Sequence, residues 1–195
     1  MSDNNGSIID INSLPEKYPT HAHEPEFWEY LGRTVATFGF LENVLARAIF
    51  AFTGTKKYSE NTIEQAYEKW LPKLESSLID PLGGLIDTYG KSVREHQDAN
   101  IMGFSDLVDD LRDASKIRNV LCHGFWKFPD ENGASVPFFV NRQKEVFHTP
   151  VDISFLNQVQ KQARDLSCSV INTVTSMGYQ FPGSSGPGNT IWKSE

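Results

Sequence analysis

A chain of 195 residues is long enough for one domain with a proper core, and two would be cramped. Its apolar share, 39% before glycine is counted, is that of a globular protein, and the net charge of −7 argues against a general basic nucleic-acid binder. Any nucleic-acid contact must therefore come from a local basic patch.

The start, Met1-Ser2-Asp3-Asn4-Asn5, is polar and acidic, unlike a secretory leader. The longest charge-free run, Leu166 to Trp192, is full of Ser, Thr, Asn, Gly and Pro, so it does not read as a membrane span. Two cysteines, Cys122 and Cys168, without a spacing motif suggest a reduced, cytoplasmic protein.

Residues 1–22 read as a loose polar segment broken by Pro15 and Pro19. His21-Ala22-His23 is at most half of a metal site, and no further spaced ligands accompany it, so neither metal nor cofactor is expected. A long helix then opens at Glu24-Pro25-Glu26 and runs to about Phe52, stopping at Thr53-Gly54. Its apolar stripe is Phe27, Leu31, Thr34/Val35, Phe38, Leu41, Leu45, Ala48/Ile49 and Phe52, the framework of an α-rich core. Glu42 sits at the border of that stripe.

A second helix is expected from Asn61, where Asn61 and Glu64 form a capping box, with a break at Pro72 and a short continuation from Leu74 to Ile79. Leu82 to about His96 reads as another helix. Its Gly83-Gly84 is not a phosphate loop, since no strand precedes it and no Gly-Lys-Ser/Thr follows.

The next helix, from about Phe104 to His123, carries the most informative stretch of the chain. Phe104, Leu107, Val108, Leu111, Ala114 and Leu121 recur at spacings of three and four, and the same stripe continues onto Arg118 and Cys122. An arginine on an apolar stripe needs an acid, a phosphate or a partner chain, because burying it alone is costly. Glu42 is the nearest candidate acid. Asn119 and His123 lie four apart along one edge of the helix, and Gly124 ends it as a left-handed cap would. A fixed cation, an amide and an imidazole thus gather at one helix end.

After Gly124 the period changes to that of strands. The aromatic runs 125–128, 136–140 and 145–148 predict a small β-meander at about 124–148, joined by Asp130-Glu131-Asn132-Gly133 and by residues 141–144. Its aromatics could stack bases, but an aromatic-rich ribbon more often covers a core, and cover is the expectation here. The last long helix opens at Thr149-Pro150-Val151-Asp152 and carries Leu156, Val159, Ala163, Leu166, Val170, Val174 and Met177 as a seam for the first helix or for another subunit. Residues 180–195 read as a flexible Gly/Ser/Pro tail.

Arg118-Asn119-x-x-x-His123 at a helix end, followed by glycine and an aromatic residue, resembles the signature of the HEPN superfamily. The specific match covers about eight residues, and the helical setting covers most of the chain. The resemblance implies a mainly α, HEPN-like helical bundle over residues 23–179, here with a β-meander inserted before the last long helix. It further implies a homodimer whose catalytic members cleave RNA without metal. Arg118 would then hold phosphate, His123 move protons, and Asn119 orient the histidine or bind phosphate. Many such proteins belong to toxin–antitoxin or phage-defence systems, where the partner is an antitoxin; others are non-catalytic dimerisation or partner-binding modules. A thiol enzyme using Cys122 beside His123 is disfavoured, since adjacent helical residues point about 100° apart.

Overall fold

The computed structural model describes residues 8–57, 68, 71–72 and 80–191. The helix expected from Asn61 and its continuation to Ile79 lie outside the described residues but for Glu68, Leu71 and Pro72. Among the described residues four long helices form: α1 (Pro25–Gly54), α2 (Leu82–Arg94), α3 (Phe104–His123) and α4 (Ile153–Thr175). The fold is all-α in its regular elements.

Pro25 takes the first turn of α1, where its missing N–H costs nothing. The expected stripe of α1 is buried except at Val35; of the Thr34/Val35 pair it is Thr34 that faces the core, and Val44 is buried as well. Thr34 tolerates burial because its hydroxyl bonds to the carbonyls of Tyr30 (2.8 Å) and, across to α4, Leu156 (3.2 Å). By length and apolar content α1 would also suit a membrane, yet half of its most apolar window is covered by the rest of the fold.

The α4 seam of Leu156, Val159, Ala163, Leu166, Val170 and Val174 packs chiefly along α1, which answers the open choice between first helix and second subunit for this face. α2 completes the core through Leu82, Leu85, Ile86 and Tyr89. The Tyr89 hydroxyl meets Thr173 Oγ1 at 2.9 Å; Thr173 already donates to the Val170 carbonyl, so Tyr89 is the donor in this link.

Three expectations about local structure are corrected. Helix α4 begins at Ile153, capped by Asp152, whose carboxylate accepts from Phe155 N at 2.7 Å, rather than at Thr149-Pro150. Val151 is held instead in extended chain paired with Ser135.

The strands expected at about 124–148 do not form as such; the chain from 125 to 151 is joined by isolated antiparallel bridges, Phe125 to Phe138, Ser135 to Val151 and Val140 to Val146. The last two share one register, but Pro137 falls between them and lacks the N–H that a continuous ladder needs. Beyond α4, residues read as a flexible tail are docked. Tyr179 bridges Asn189, Arg47 Nη1 donates to the Pro182 carbonyl at 3.1 Å, and Phe181 is buried in the core.

Candidate functional site

Arg118 lies on the last turns of α3, where the helix passes α1. Its Nη2 donates to Glu42 Oε1 at 3.1 Å and its Nη1 approaches Asn119 Oδ1 at 3.4 Å. The two charged side chains are 23% and 28% exposed, so the pair is half-buried and still reached by water. The physical reason follows from the stripe: α3 presents Arg118 where apolar residues would face α1, and the border acid of α1 supplies the counter-charge. A pair in this setting costs less desolvation than a fully buried one and is less screened than a surface one.

His123 is the final residue of α3, exposed, and no hydrogen bond or ion pair engages its ring among the described residues. Asn119, one turn back, is half-buried. The helix therefore brings Arg118, Asn119 and Glu42 into one hydrogen-bonded group and leaves the imidazole outside it. Cys122 does not continue the buried stripe, as the spacing suggests; it is exposed, because the apolar contacts of α3 end with Val120 and Leu121.

Gly124 is not a left-handed cap. Its φ of −69° and ψ of 140° are extended, and its amide donates to the Val120 carbonyl at 2.8 Å. Glycine is needed there for space: a Cβ would stand 2.6 Å from the Val120 carbonyl oxygen and 2.9 Å from Pro137 Cβ. That close approach folds the bridged segment back against the end of α3.

The aromatic cluster at the start of α1 went unread in the sequence. His23 stacks on Phe27 (4.4 Å between ring centres) and meets Trp28 and Trp126 edge-on. A signal was present, since His23 stands just before the helix cap and Trp28 at its fourth position, the spacing of a hydrophobic staple. Burial pushes the His23 pKa below its ordinary value, so the ring packs as a neutral group. His21 stacks instead on Tyr18. The His-x-His pair is thus divided between ring contacts, and no cluster of three or more His, Cys, Asp or Glu set to hold a metal occurs among the described residues.

Compared with family models, with curated proteins and with solved structures, the chain finds no match in any of the three.

Proposed function

We propose that the protein is a HEPN-like, metal-independent endoribonuclease, acting through Arg118 and His123 on single-stranded RNA. The observation that carries the reading is the grouping at the end of α3: a guanidinium steadied by Glu42 and Asn119, half-open to water, with a free imidazole one turn further on. Glu42 and Asn119 occupy two edges of the guanidinium and so restrict its orientation. A phosphate arriving at the remaining donors would meet a planar fork already positioned, with charge-assisted hydrogen bonds to its oxygens.

In the reaction, the ribose 2′-oxygen forms a bond to the adjacent phosphorus and the bond from phosphorus to the 5′-oxygen breaks. The 2′-hydroxyl proton leaves to a base, and a proton is delivered to the departing 5′-oxygen. An imidazole suits either transfer near neutral pH. The products are a 2′,3′-cyclic phosphate and a free 5′-hydroxyl.

On one regular helix Arg118 and His123 point about 140° apart (five residues at about 100° each), too far round to grip one phosphate squarely. A homodimer pairing the two helix ends, so that Arg118 of one subunit meets His123 of the other, removes this difficulty. A symmetric dimer is the commonest such arrangement. The alternative reading is a non-catalytic dimerisation or partner-binding module. It is favoured by the Glu42–Arg118 pair itself, which neutralises the cation that a phosphate needs.

One experiment separates them: incubation with mixed single-stranded RNA in EDTA, with analysis of product ends. Wild type should cut RNA but not DNA. His123→Ala should lose about 10²–10⁴-fold. Arg118→Lys should also lose most activity while remaining folded, because lysine keeps the charge and not the fork. Mixing Arg118→Lys with His123→Ala should restore part of the rate if the site is shared between subunits. Wild-type rates in His123→Ala would sink the nuclease reading and leave the module.

A further inference from the structure

Two residues beyond His123 the chain carries an outward-facing pair of aromatic rings. Phe125 and Phe138 sit directly opposite each other in an antiparallel bridge, with Phe125 N to the Phe138 carbonyl at 2.9 Å and the reverse bond at 2.8 Å. Directly opposed residues put their side chains on one face. Both rings are turned to solvent, Phe125 68% exposed and Phe138 52%. Their neighbours in the chain do the covering: Trp126 packs on the core and Pro137 meets Gly124. The alternation thus spends one set of side chains on the core and leaves the other bare.

The cations of this segment differ in their pairing from those of the helices. Most cations of the helices are taken up in ion pairs, which suits an acidic protein. The bridged segment instead keeps Lys127, Arg142 and Lys144 without an acidic partner among the described residues. Lys127 extends over the outer face, its Nζ 5.9 Å from the centre of the Phe138 ring. Bare rings with the unpaired Lys127 ammonium beside one of them match flat bases on an anionic backbone. A surface meant only for an apolar partner would gain nothing from an unpaired lysine over one of its rings.

We infer that the Phe125–Phe138 face is a stacking platform for a single strand of RNA, with Lys127 on its phosphates, leading the strand to His123. Stacking on such rings tolerates any base, so the platform would position the strand without selecting a sequence. The inference rests on the nuclease reading of the adjoining helix end, and it gives that reading an aromatic surface with an unpaired lysine beside it.

The test uses the full chain and a short 2′-O-methyl oligoribonucleotide carrying 2-aminopurine, which cannot be cut because its 2′-oxygen is blocked. Quenching on binding reports stacking. Phe125→Ala and Phe138→Ala should each weaken binding by about 5- to 150-fold, the range for one base stacked on an aromatic ring. Phe125→Trp should retain it, and Lys127→Ala should flatten the dependence on salt. Since both rings are exposed, thermal melts of the variants should match wild type.

An oligonucleotide that does not bind wild type, or binds the alanine variants equally well, overturns the platform. So does self-association of wild type that both alanine variants abolish without any oligonucleotide binding, which would make the face a contact between copies. Binding through the two rings in a protein that cuts no RNA would keep the platform and reject the nuclease. Cutting of RNA at wild-type rates by both alanine variants, with no platform binding, would do the reverse.

Discussion

Arg118 and Gly124 illustrate how far single residues could be read in advance. The guanidinium on an apolar stripe called for a counter-charge, and the border acid Glu42 supplies it at 3.1 Å. That contact was legible because both residues break helical periodicity on faces that had to meet. Gly124 was legible as the end of α3 but not for the right reason. Its neighbour in space, Pro137, is thirteen positions away, and no local pattern announces a contact of that kind. The consequence is testable by substitution. Gly124→Ala forces a methyl group against a backbone carbonyl and a proline ring. It should destabilise the protein by about 1–3 kcal/mol in denaturant titrations, the usual cost of overpacking. A left-handed cap would predict a penalty too, so the deciding comparison makes Gly124→Ala in a Pro137→Gly background. There the penalty should be smaller, because only the Val120 carbonyl clash remains; a left-handed cap would give the same penalty in both backgrounds.

At the scale of elements, the long helices were legible because each has one apolar stripe of helical period, and α3 runs over the expected span from Phe104 to His123. The 124–151 segment was read less well. Its aromatic runs do lie in bridged, extended chain, but Pro137 interrupts the pairing that alternation alone would extend into strands. The start of α4 was misplaced by the same kind of ambiguity. Thr149-Pro150 and Asp152 both offer a cap, and only the pairing of Val151 with Ser135 excludes the earlier one. Asp152 is therefore the residue on which the helix start depends. Asp152→Ala should cost about 0.5–2 kcal/mol, whereas Thr149→Ala, outside the helix, should leave the denaturation midpoint nearly unchanged. Equal losses from both would mean that the helix begins further upstream.

For the molecule as a whole, two histidines buried at opposite ends of α1 tie stability to pH. His96 is almost fully covered, its Nδ1 accepting from the Asp98 amide at 3.3 Å. The ring proton therefore sits on Nε2, which donates to Thr55 Oγ1 at 3.1 Å and joins the end of α1 to the end of α2. Desolvation pushes its pKa below the ordinary value, and Lys56 and Lys57 act in the same direction; Asp98 and the backbone of Thr55 oppose them. At the other end His23, enclosed by Phe27, Trp28 and Trp126, is lowered by desolvation, and Glu16, Lys17, His21 and Glu24 line the cavity beside it.

Both rings fold in the neutral form, so the unfolded chain binds more protons than the folded one once the pH falls to about 6.5. Stability should be level above about pH 7.5 as far as these groups are concerned, and should fall as the pH drops through 6.5. The decline ends only below the folded-state pKa values. Each group contributes a slope of at most about 1.4 kcal/mol per pH unit. Thermal melts from pH 8 to pH 5 measure it: wild type should lose stability on acidification, and His96→Gln and His23→Phe, which cannot titrate, should each flatten the curve. His96→Gln can keep a bond to Thr55, and His23→Phe keeps the stacking on Phe27, so loss of fold need not obscure the slope. Wild-type stability that rises between pH 7 and pH 5.5 would show that these histidines are charged in the folded protein.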